Sequence, residues 1–474
     1  MIARRHLLAL AGGMLVGAAV TACSATETLP VVDPEQFGAK GGGTQDARKA
    51  LQAAIDHAAS LGGANVVLRH RFHVGGPLLA RSGVTLTLER AGALVRTFKG
   101  GALVRNEQLG EKVRGFRIMG PGSLESRDRS SSGQMVFLYG DQLELADITI
   151  DTFSDGQAVL IGGDDVVLRR LRVDNAAPLP GVGGIRMFGG NRFRAEKCHV
   201  VAGDDALQFT PIATPGHPLA DLSIRDSAYA DCTGGSKAAR FIAAILSTSP
   251  PGQGGLTASI ENVAFIRCEG YGSNRTAVIA NTDSSGAIRD VRIEDSDLDN
   301  GRQRRAEHAA LLIHRSSGTG NLAGVAVRRT TIRRPRAVAF DIEGTAVANV
   351  KEISIEDSVL AAPGGGGHTL RAVGVDGLEI ARSVVRGRGR GDVISLGSAS
   401  SPVKNVQVSQ TRISGIGPEF SGIRFRAVID FKVSGCSFHP IAGRDGGGSV
   451  SSGSLTSSGT LSRNRYSGLR APKV

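Results

Sequence analysis

Aromatic side chains are scarce in this sequence of 474 residues, which has no tryptophan and only 4% Phe, Tyr and Trp combined. Few side chains are therefore available to stack on nucleic-acid bases, and no nucleic-acid-binding motif is present, so a nucleic-acid partner is not expected. The five cysteines lack CxxC spacing and a histidine partner, which argues against a zinc site. We expect no resident cofactor, with Ca²⁺ as the exception if the protein is a lyase.

Glycine and small or branched apolar residues dominate instead. The chain has 65 glycines and 41% apolar residues, mostly Val, Ile, Leu and Ala. This mixture is typical of short strands joined by frequent tight turns. The formal charge of +12 favours an anionic partner such as an acidic polysaccharide or lipid headgroups, and a merely solvated basic surface is the alternative.

The N-terminus has the features of an export signal. Arg4 and Arg5 precede an apolar stretch from Leu7 to Val20, which is too short for a membrane span with these flanks. The arginine pair resembles a twin-arginine signal, and Sec export stays open. Val20-Thr21-Ala22-Cys23 resembles a lipobox, which predicts lipidation of Cys23 and a periplasmic or outer-membrane lipoprotein. The alternatives are cleavage nearby with loss of Cys23, and secretion.

A repeating pattern predicts the fold. An apolar residue, one intervening residue, a second apolar residue, two intervening residues and a small polar residue recur, as in Ile353–Ser358. Cys198, Cys268 and Cys436 fill the small polar position in three copies, which makes them core residues. A coil whose turns stack on one another explains such columns. The second apolar position is predicted at Ile118, Ile150, Leu168, Ala195, Ile224, Phe265, Ile293, Val327, Ile355, Ile380, Val408 and Val433.

Turn residues and a single helix complete this prediction. Asp, Asn or Gly stands three residues before the second apolar position in most copies, where a turn is expected. Ala47–Ser60 has an apolar face at helical spacing and should cap the first turn of the coil. The predicted organisation is a signal peptide over 1–23, a linker over 24–33, an all-β parallel β-helix over 34–445 and a Gly/Ser-rich C-terminal tail over 446–474.

Two stretches resemble known families. Phe37–Ala58 resembles the N-terminal signature of the pectate-lyase superfamily, which implies a single-stranded right-handed parallel β-helix. Gly184–Phe209 resembles the central rung of polygalacturonases, including its Gly-Asp-Asp at Gly203, Asp204 and Asp205. In that family the two aspartates supply the acid and the base of inverting hydrolysis. The family's Asn-Thr-Asp and Gly-His-Gly elements are absent, since Gly181–Gly183 and Thr233–Arg240 stand in their places.

The site prediction follows from this rung and from its neighbours in the coil. Asp204 and Asp205 are the candidate acid and base of a hydrolase. In a lyase, Lys237 or Arg240 would be the base, and the two aspartates would hold Ca²⁺. Crowding by neighbouring arginines is expected to lower the pKa of that base. Substrate-binding roles are predicted for Gln157, Arg186, Arg275 and His308.

We therefore predict an exported, monomeric polysaccharide-processing β-helix protein that cleaves an acidic glycan as a lyase or a glycoside hydrolase. The alternative is a non-catalytic protein of glycan binding or exopolysaccharide assembly and export, which the missing family elements favour.

Overall fold

The computed structural model describes residues 29–474 except 127–132, 154–155, 176, 178–180, 213–221, 248–257, 283, 303–307, 317, 346, 348–349, 444–446, 454–455, 457–458, 471 and 474. Cys23 and the whole proposed export signal lie outside the described residues.

The described chain winds through three parallel sheets in turn. These sheets contain 17, 15 and 15 strands among the described residues, and each strand pairs in parallel with strands of the neighbouring turns. Every inward-facing position therefore stacks on its equivalent one strand spacing away, about 4.8 Å. The prediction of a parallel β-helix is confirmed.

The first sheet contains Val31–Val32, Asn65–Leu68, Thr85–Leu88, Arg117–Met119, Glu144–Ala146, Val167–Arg169, Gly190–Asn191, Arg194–Glu196, Ile224–Ala230, Ile260–Ile266, Ile288–Glu294, Leu322–Arg328, Val350–Glu356, Val375–Ala381, Val403–Ser409, Val428–Ser434 and Gly459–Ser462. The second contains Arg71–Val74, Ala93–Arg96, Ser123–Ser126, Thr149–Thr152, Arg172–Asn175, His199–Ala202, Thr233–Ser236, Glu269–Gly272, Asp297–Asp299, Thr331–Arg333, Val359–Leu360, Val384–Arg386, Arg412–Ile416, Ser437–Pro440 and Arg465–Tyr466. The third contains Leu78–Leu79, Val104–Arg105, Val113–Arg114, Val136–Asp141, Val159–Gly162, Ile185–Met187, Leu207–Phe209, Arg240–Ser247, Arg275–Thr282, Leu311–Arg315, Phe340–Glu343, Leu370–Val373, Ile394–Leu396, Ser421–Phe425 and Gly448–Ser452.

The predicted apolar column is correct for ten of its twelve members and wrong for Ile150 and Ile224. Ile150 belongs to the second sheet, where it pairs with Leu124 and Val173. Ile224 lies in the first sheet but in another column, since it pairs with Ile260. The register instead places Leu145 and Tyr229 in the column. Tyr229 was missed because Leu222-Ser223-Ile224 matches the repeat pattern five residues before the true position.

The small polar position forms a hydrogen-bonded ladder. The backbone N–H of Ser296 donates to Thr330 Oγ1, that of Thr330 to Ser358 Oγ, and that of Ser358 to Ser383 Oγ. The predicted cysteines occupy the same column as free, buried thiols, and Cys232 joins them through the corrected register. The ladder satisfies backbone groups where the chain turns between the first and second sheets.

Two columns of turn residues adopt the left-handed backbone conformation, as the Asp/Asn pattern predicts. Asn262 and Asp290, in the predicted position, have φ of 49° and 54°. A second column five residues further along contains Asp357, with φ of 50°, and Arg382, with φ of 48°. Arg382 donates to both carboxylate oxygens of Asp357, at 2.9 and 3.0 Å. Opposite charges on successive turns therefore form ion pairs along this exposed column.

The N-terminal end of the coil carries a helix, Arg48–Ser60, preceded by a short 3₁₀ helix, Pro34–Phe37. Leu51 and Ile55 are buried in the core, and Gln52 both donates to and accepts from the backbone of Leu79. The predicted capping helix is thus confirmed to within one residue. Among the described residues, no helix is both long and apolar enough to cross a membrane.

The coil reaches past both boundaries that the sequence suggested. Val31–Val32 already pairs with the first sheet, although 24–33 was assigned to a linker. Three short strands within 446–474 extend the three sheets, and the last is Arg465–Tyr466. Stacking on an existing edge supplies hydrogen bonds to segments whose composition alone indicates a loose tail.

Candidate active site

The third sheet presents one column of outward side chains along the coil. Its inward neighbours belong to the hydrophobic core, whereas the outward positions do not. The register of the strands gives this column as Phe137, Leu160, Arg186, Gln208, Ala243, Val278, Leu312, Asp341, Arg371, Ser395, Arg424 and Ser451. Two polar clusters therefore stand on one face, separated by three apolar positions.

The first cluster contains the predicted aspartate pair. Asp205 is only 2% exposed, and Arg240 Nε and Nη2 donate to its two oxygens at 2.5 and 2.6 Å. Burial raises the pKa of Asp205 against the pull of Arg240. Burial would lower the pKa of Arg240, but Asp205 more than offsets this and raises it. The expectation of an arginine base with a lowered pKa is therefore wrong, and Asp205 is closed off from solvent.

A buried amide joins the other members of this cluster. Gln208, fully buried, accepts from Arg186 Nε at 2.6 Å and donates to Gln157 Oε1 at 3.1 Å. Asp204 is less buried, and its Oδ2 accepts from the backbone N–H of Gly181 at 2.7 Å. Burial lowers the pKa of Arg186, although Asp205 and Asp204 pull it upwards. The structure thus brings Gln157, Arg186, Asp205 and Arg240 together as the sequence predicts, in a network that is largely closed to solvent.

The remaining predicted residues lie at the margin of this cluster. Arg275 is the register partner of Arg240 on the next strand, and its Nη1 donates to the carbonyl of Ala309 at 3.5 Å. His308, partly exposed, directly precedes Ala309. Lys237 is exposed in the turn between Thr233–Ser236 and Arg240–Ser247.

The aspartate pair does not fit a calcium site as it stands. Both oxygens of Asp205 accept from the guanidinium of Arg240, and one oxygen of Asp204 accepts from Gly181. Ca²⁺ needs six to eight oxygen ligands, and a guanidinium would have to leave before Asp205 supplied any. The described residues contain no group of three or more His, Cys, Asp or Glu side chains arranged to hold a metal.

The second cluster was not predicted as a site. Asp341 and Glu343 both project from the strand Phe340–Glu343, and both accept from the same nitrogen of Arg371, Nη2. Arg371 Nε also donates to Asp341 at 2.9 Å, and His314 Nδ1 lies 3.3 Å from the other oxygen of Glu343. About one third of the side chains of Glu343, His314 and Arg371 is exposed, against 10% for Asp341.

The surroundings of these two carboxylates shift their pKa values in opposite directions. Burial raises the pKa of Asp341, although Arg371 opposes it. Close contact with His314 lowers the pKa of Glu343 in spite of burial, and Arg371 acts in the same direction. Two neighbouring carboxyl groups with diverging pKa values are the usual arrangement of an acid beside a nucleophile or base.

Cations continue beyond this pair on the same face. Arg424 is exposed two strands after Arg371, and Arg426 extends to Ser395 Oγ at 3.1 Å and to Asp392 at 3.6 Å. A sequence signal for the cluster existed, because Asp341 interrupts the apolar stretch Val338–Ile342 at the outward position that Arg186 and Gln208 occupy. The Gly-Asp-Asp resemblance drew attention to another rung instead.

A coil of three parallel sheets with a helix at its N-terminal end is a parallel β-helix, a fold that pectate-lyase-like proteins share. No family model matches the sequence, and no curated protein matches it either. Solved structures do match the fold.

Several of these structures have TM-scores above 0.5. The tailspike protein of E. coli bacteriophage HK620 in complex with a pentasaccharide has a TM-score of 0.58 and 13% identity over 92% of this chain and 78% of its own. The exopolygalacturonase of Thermotoga maritima has 0.54 and 13% over 78% and 92%. The polygalacturonase of Erwinia carotovora has 0.51 and 12% over 70% and 93%. At these identities the likeness establishes the fold alone.

Proposed function

We propose that this protein is an exported glycoside hydrolase that cleaves an acidic polysaccharide, with Asp341 and Glu343 as its catalytic residues. The observation that carries the proposal is the carboxylate pair itself, in which both side chains contact one nitrogen of Arg371 and have pKa values shifted in opposite directions. The likeness in fold to two polygalacturonases and to a tailspike bound to a pentasaccharide supports a polysaccharide substrate.

The pKa shifts assign the roles. Asp341, whose pKa burial raises, takes the role of the acid, and Glu343, whose pKa is lowered, takes that of the nucleophile. Carboxylates that share one guanidinium nitrogen are closer than the roughly 6.5–9.5 Å separation of inverting hydrolases, which favours the retaining mechanism. This differs from the inverting chemistry that the polygalacturonase resemblance implies.

In the first step a Glu343 oxygen forms a bond to the anomeric carbon as the glycosidic C–O bond breaks, and the leaving oxygen takes the electron pair and the proton of Asp341. In the second step water loses a proton to the Asp341 carboxylate and attacks the same carbon, which releases Glu343. The sum is the addition of one water molecule, and both side chains return to their starting states.

The cations around the pair favour an anionic chain. Arg371 lies beside the carboxylates, and the exposed Arg424 and Arg426 follow it on the third sheet. Guanidinium groups form paired hydrogen bonds with carboxylates, as a uronate sugar would require. The formal charge of +12 adds a general attraction for such polymers.

Export and lipid attachment at Cys23 are part of this proposal, supported by the apolar stretch Leu7–Val20 and the lipobox-like Val20–Cys23. A Cys23→Ser variant should move from the membrane fraction to the soluble fraction, and a soluble wild-type protein would refute the anchor.

A non-catalytic glycan-binding function is the second candidate. It is favoured by the first cluster, in which the one aspartate pair that resembles a catalytic element is partly buried and Asp205 is held by Arg240. Under this alternative the protein binds acidic glycans without releasing fragments.

Product analysis tests the proposal. The protein is incubated with polygalacturonate, alginate and hyaluronan, and with dextran as a neutral control. We expect new reducing ends from an acidic polymer without the ultraviolet absorbance of a new double bond, unchanged activity after chelation of Ca²⁺, and no products from dextran. Absorbance with dependence on Ca²⁺ would indicate a lyase. Binding without products would favour the non-catalytic alternative.

A further inference from the structure

A groove of about 570 Å³ crosses the outer face of the second sheet, away from the carboxylate pair. Five successive strands form its floor, from His199–Ala202 to Thr331–Arg333. One outward column runs Val201, Gly235, Tyr271, Asp299 and Arg333 in register. The volume lies within the roughly 300–1,000 Å³ of small-molecule sites in proteins.

Tyr271, which lines this groove, packs on Gly235, where the lack of a side chain leaves room for the ring. A Cβ on Gly235 would lie 2.6 Å from Cδ1 and 2.7 Å from Cε1 of Tyr271, so the tyrosine ring lies over the glycine backbone of the preceding turn. Tyr271 is one of only four tyrosines in the chain, which makes a partly exposed ring on the outer surface uncommon here.

A cation and hydrogen-bonding groups accompany this ring. Arg302 places its guanidinium carbon 4.0 Å from the ring centroid of Tyr271. Glu269 and Asp299 line the same groove, and His199 hydrogen-bonds Thr233 at 2.9 Å on its opposite side. The negative face of an aromatic ring attracts cations, so Tyr271 holds the guanidinium of Arg302 in place, and Glu269 and the hydroxyl of Thr233 provide partners for sugar hydroxyls.

We propose that this groove is a second carbohydrate site, which binds the carboxylate of an acidic sugar on Arg302, with the guanidinium held in place by the ring of Tyr271. The site holds the polymer without cleaving it. Its assignment to a sugar rests on the proposed polysaccharide substrate, but its residues are independent of the carboxylate pair because they lie on another sheet.

Calorimetric titration with oligogalacturonate and oligo-alginate tests the site, using the Glu343→Gln protein so that the probe is not degraded. Tyr271→Ala and Arg302→Gln should each weaken the binding of the probe at this site by about fivefold to tenfold, the scale of one stacking or cation–π contact. Arg302 is exposed in a turn, so its replacement should leave the hydrophobic core and the folding of the protein unaffected. Arg412→Ala, an exposed arginine elsewhere on the same sheet, is the matched control and should bind as the parent does.

The two proposals fail in different ways. Unchanged binding in both variants refutes the second site, whatever the cleavage assay shows. Failure of the parent to bind any acidic probe refutes this site and also the substrate class. Weaker binding in Tyr271→Ala and Arg302→Gln supports the site even if the wild-type protein cleaves nothing, in which case only the hydrolase assignment is lost.

Discussion

Replacing Asp341 with Asn is expected to lower the turnover of an acidic polysaccharide by about 10²-fold or more, the usual scale for the loss of a general acid. The amide keeps the shape of the side chain but is far too weak an acid to protonate the leaving oxygen. Glu343→Gln should have a similar effect, because an amide is a poor nucleophile. In the wild type, activity requires an ionised Glu343 and a protonated Asp341. Activity should therefore rise as the pH passes the lowered pKa of Glu343 and fall as it passes the raised pKa of Asp341, with an acidic optimum.

The matched control for these variants is Asp357→Asn. Asp357 is also an aspartate paired with an arginine, Arg382, but it lies in the exposed turn column between the first and second sheets. Turnover should be unaffected in this variant. If Asp341→Asn and Glu343→Gln retain activity within a few-fold of the wild type while folded, the cleavage site lies elsewhere.

Replacing Arg240 with Met should lower the free energy of unfolding by about 3–5 kcal/mol, because it leaves the buried carboxylate of Asp205 without its cation. The double variant Arg240→Met/Asp205→Leu removes both charges and should recover most of this loss. Denaturant unfolding of the three proteins measures the effect, with the slope of the transition compared to exclude a change in the unfolded state.

Arg382→Met serves as the control for this pair, since it breaks an equally well-formed ion pair that is exposed on both sides. Its unfolding midpoint should stay close to that of the wild type. Equal shifts for Arg240→Met and Arg382→Met would contradict the structural role of the Asp205–Arg240 pair. If the double variant Arg240→Met/Asp205→Leu folds stably but no longer cleaves the polysaccharide, the first cluster is part of the active site.

The fold could be predicted because its determinants are local and repeated. Every copy of the repeat carries recognisable apolar, small polar and turn residues. Ten of the twelve residues predicted for the apolar column could therefore be placed from the sequence. The two errors arose where a competing triplet imitates the repeat, at Ile150 and Ile224, and only hydrogen-bond register distinguishes the copies. The terminal strands were missed because stacking on an edge, rather than composition, makes them strands.

The site was predicted less well, because burial and pairing are properties of neighbouring turns. The sequence placed Asp205, Arg240, Gln157 and Arg186 together correctly. It gave no indication that Arg240 would cover both oxygens of Asp205. The Asp341–Arg371 contact joins residues 30 positions apart on successive strands, and Tyr271 acquires its role from Gly235 on the preceding turn. Such contacts follow from the register, which the sequence does not specify residue by residue.

The most direct measurement is a crystal structure of the Glu343→Gln protein with an acidic oligosaccharide bound. We expect sugar density over the third sheet between His314 and Arg424, with a glycosidic oxygen within hydrogen-bond distance of Asp341 and a sugar carboxylate on an arginine of that face. A sugar bound instead over Asp204 and Arg240, or with no sugar oxygen near Asp341, would contradict the assignment of the cleavage site.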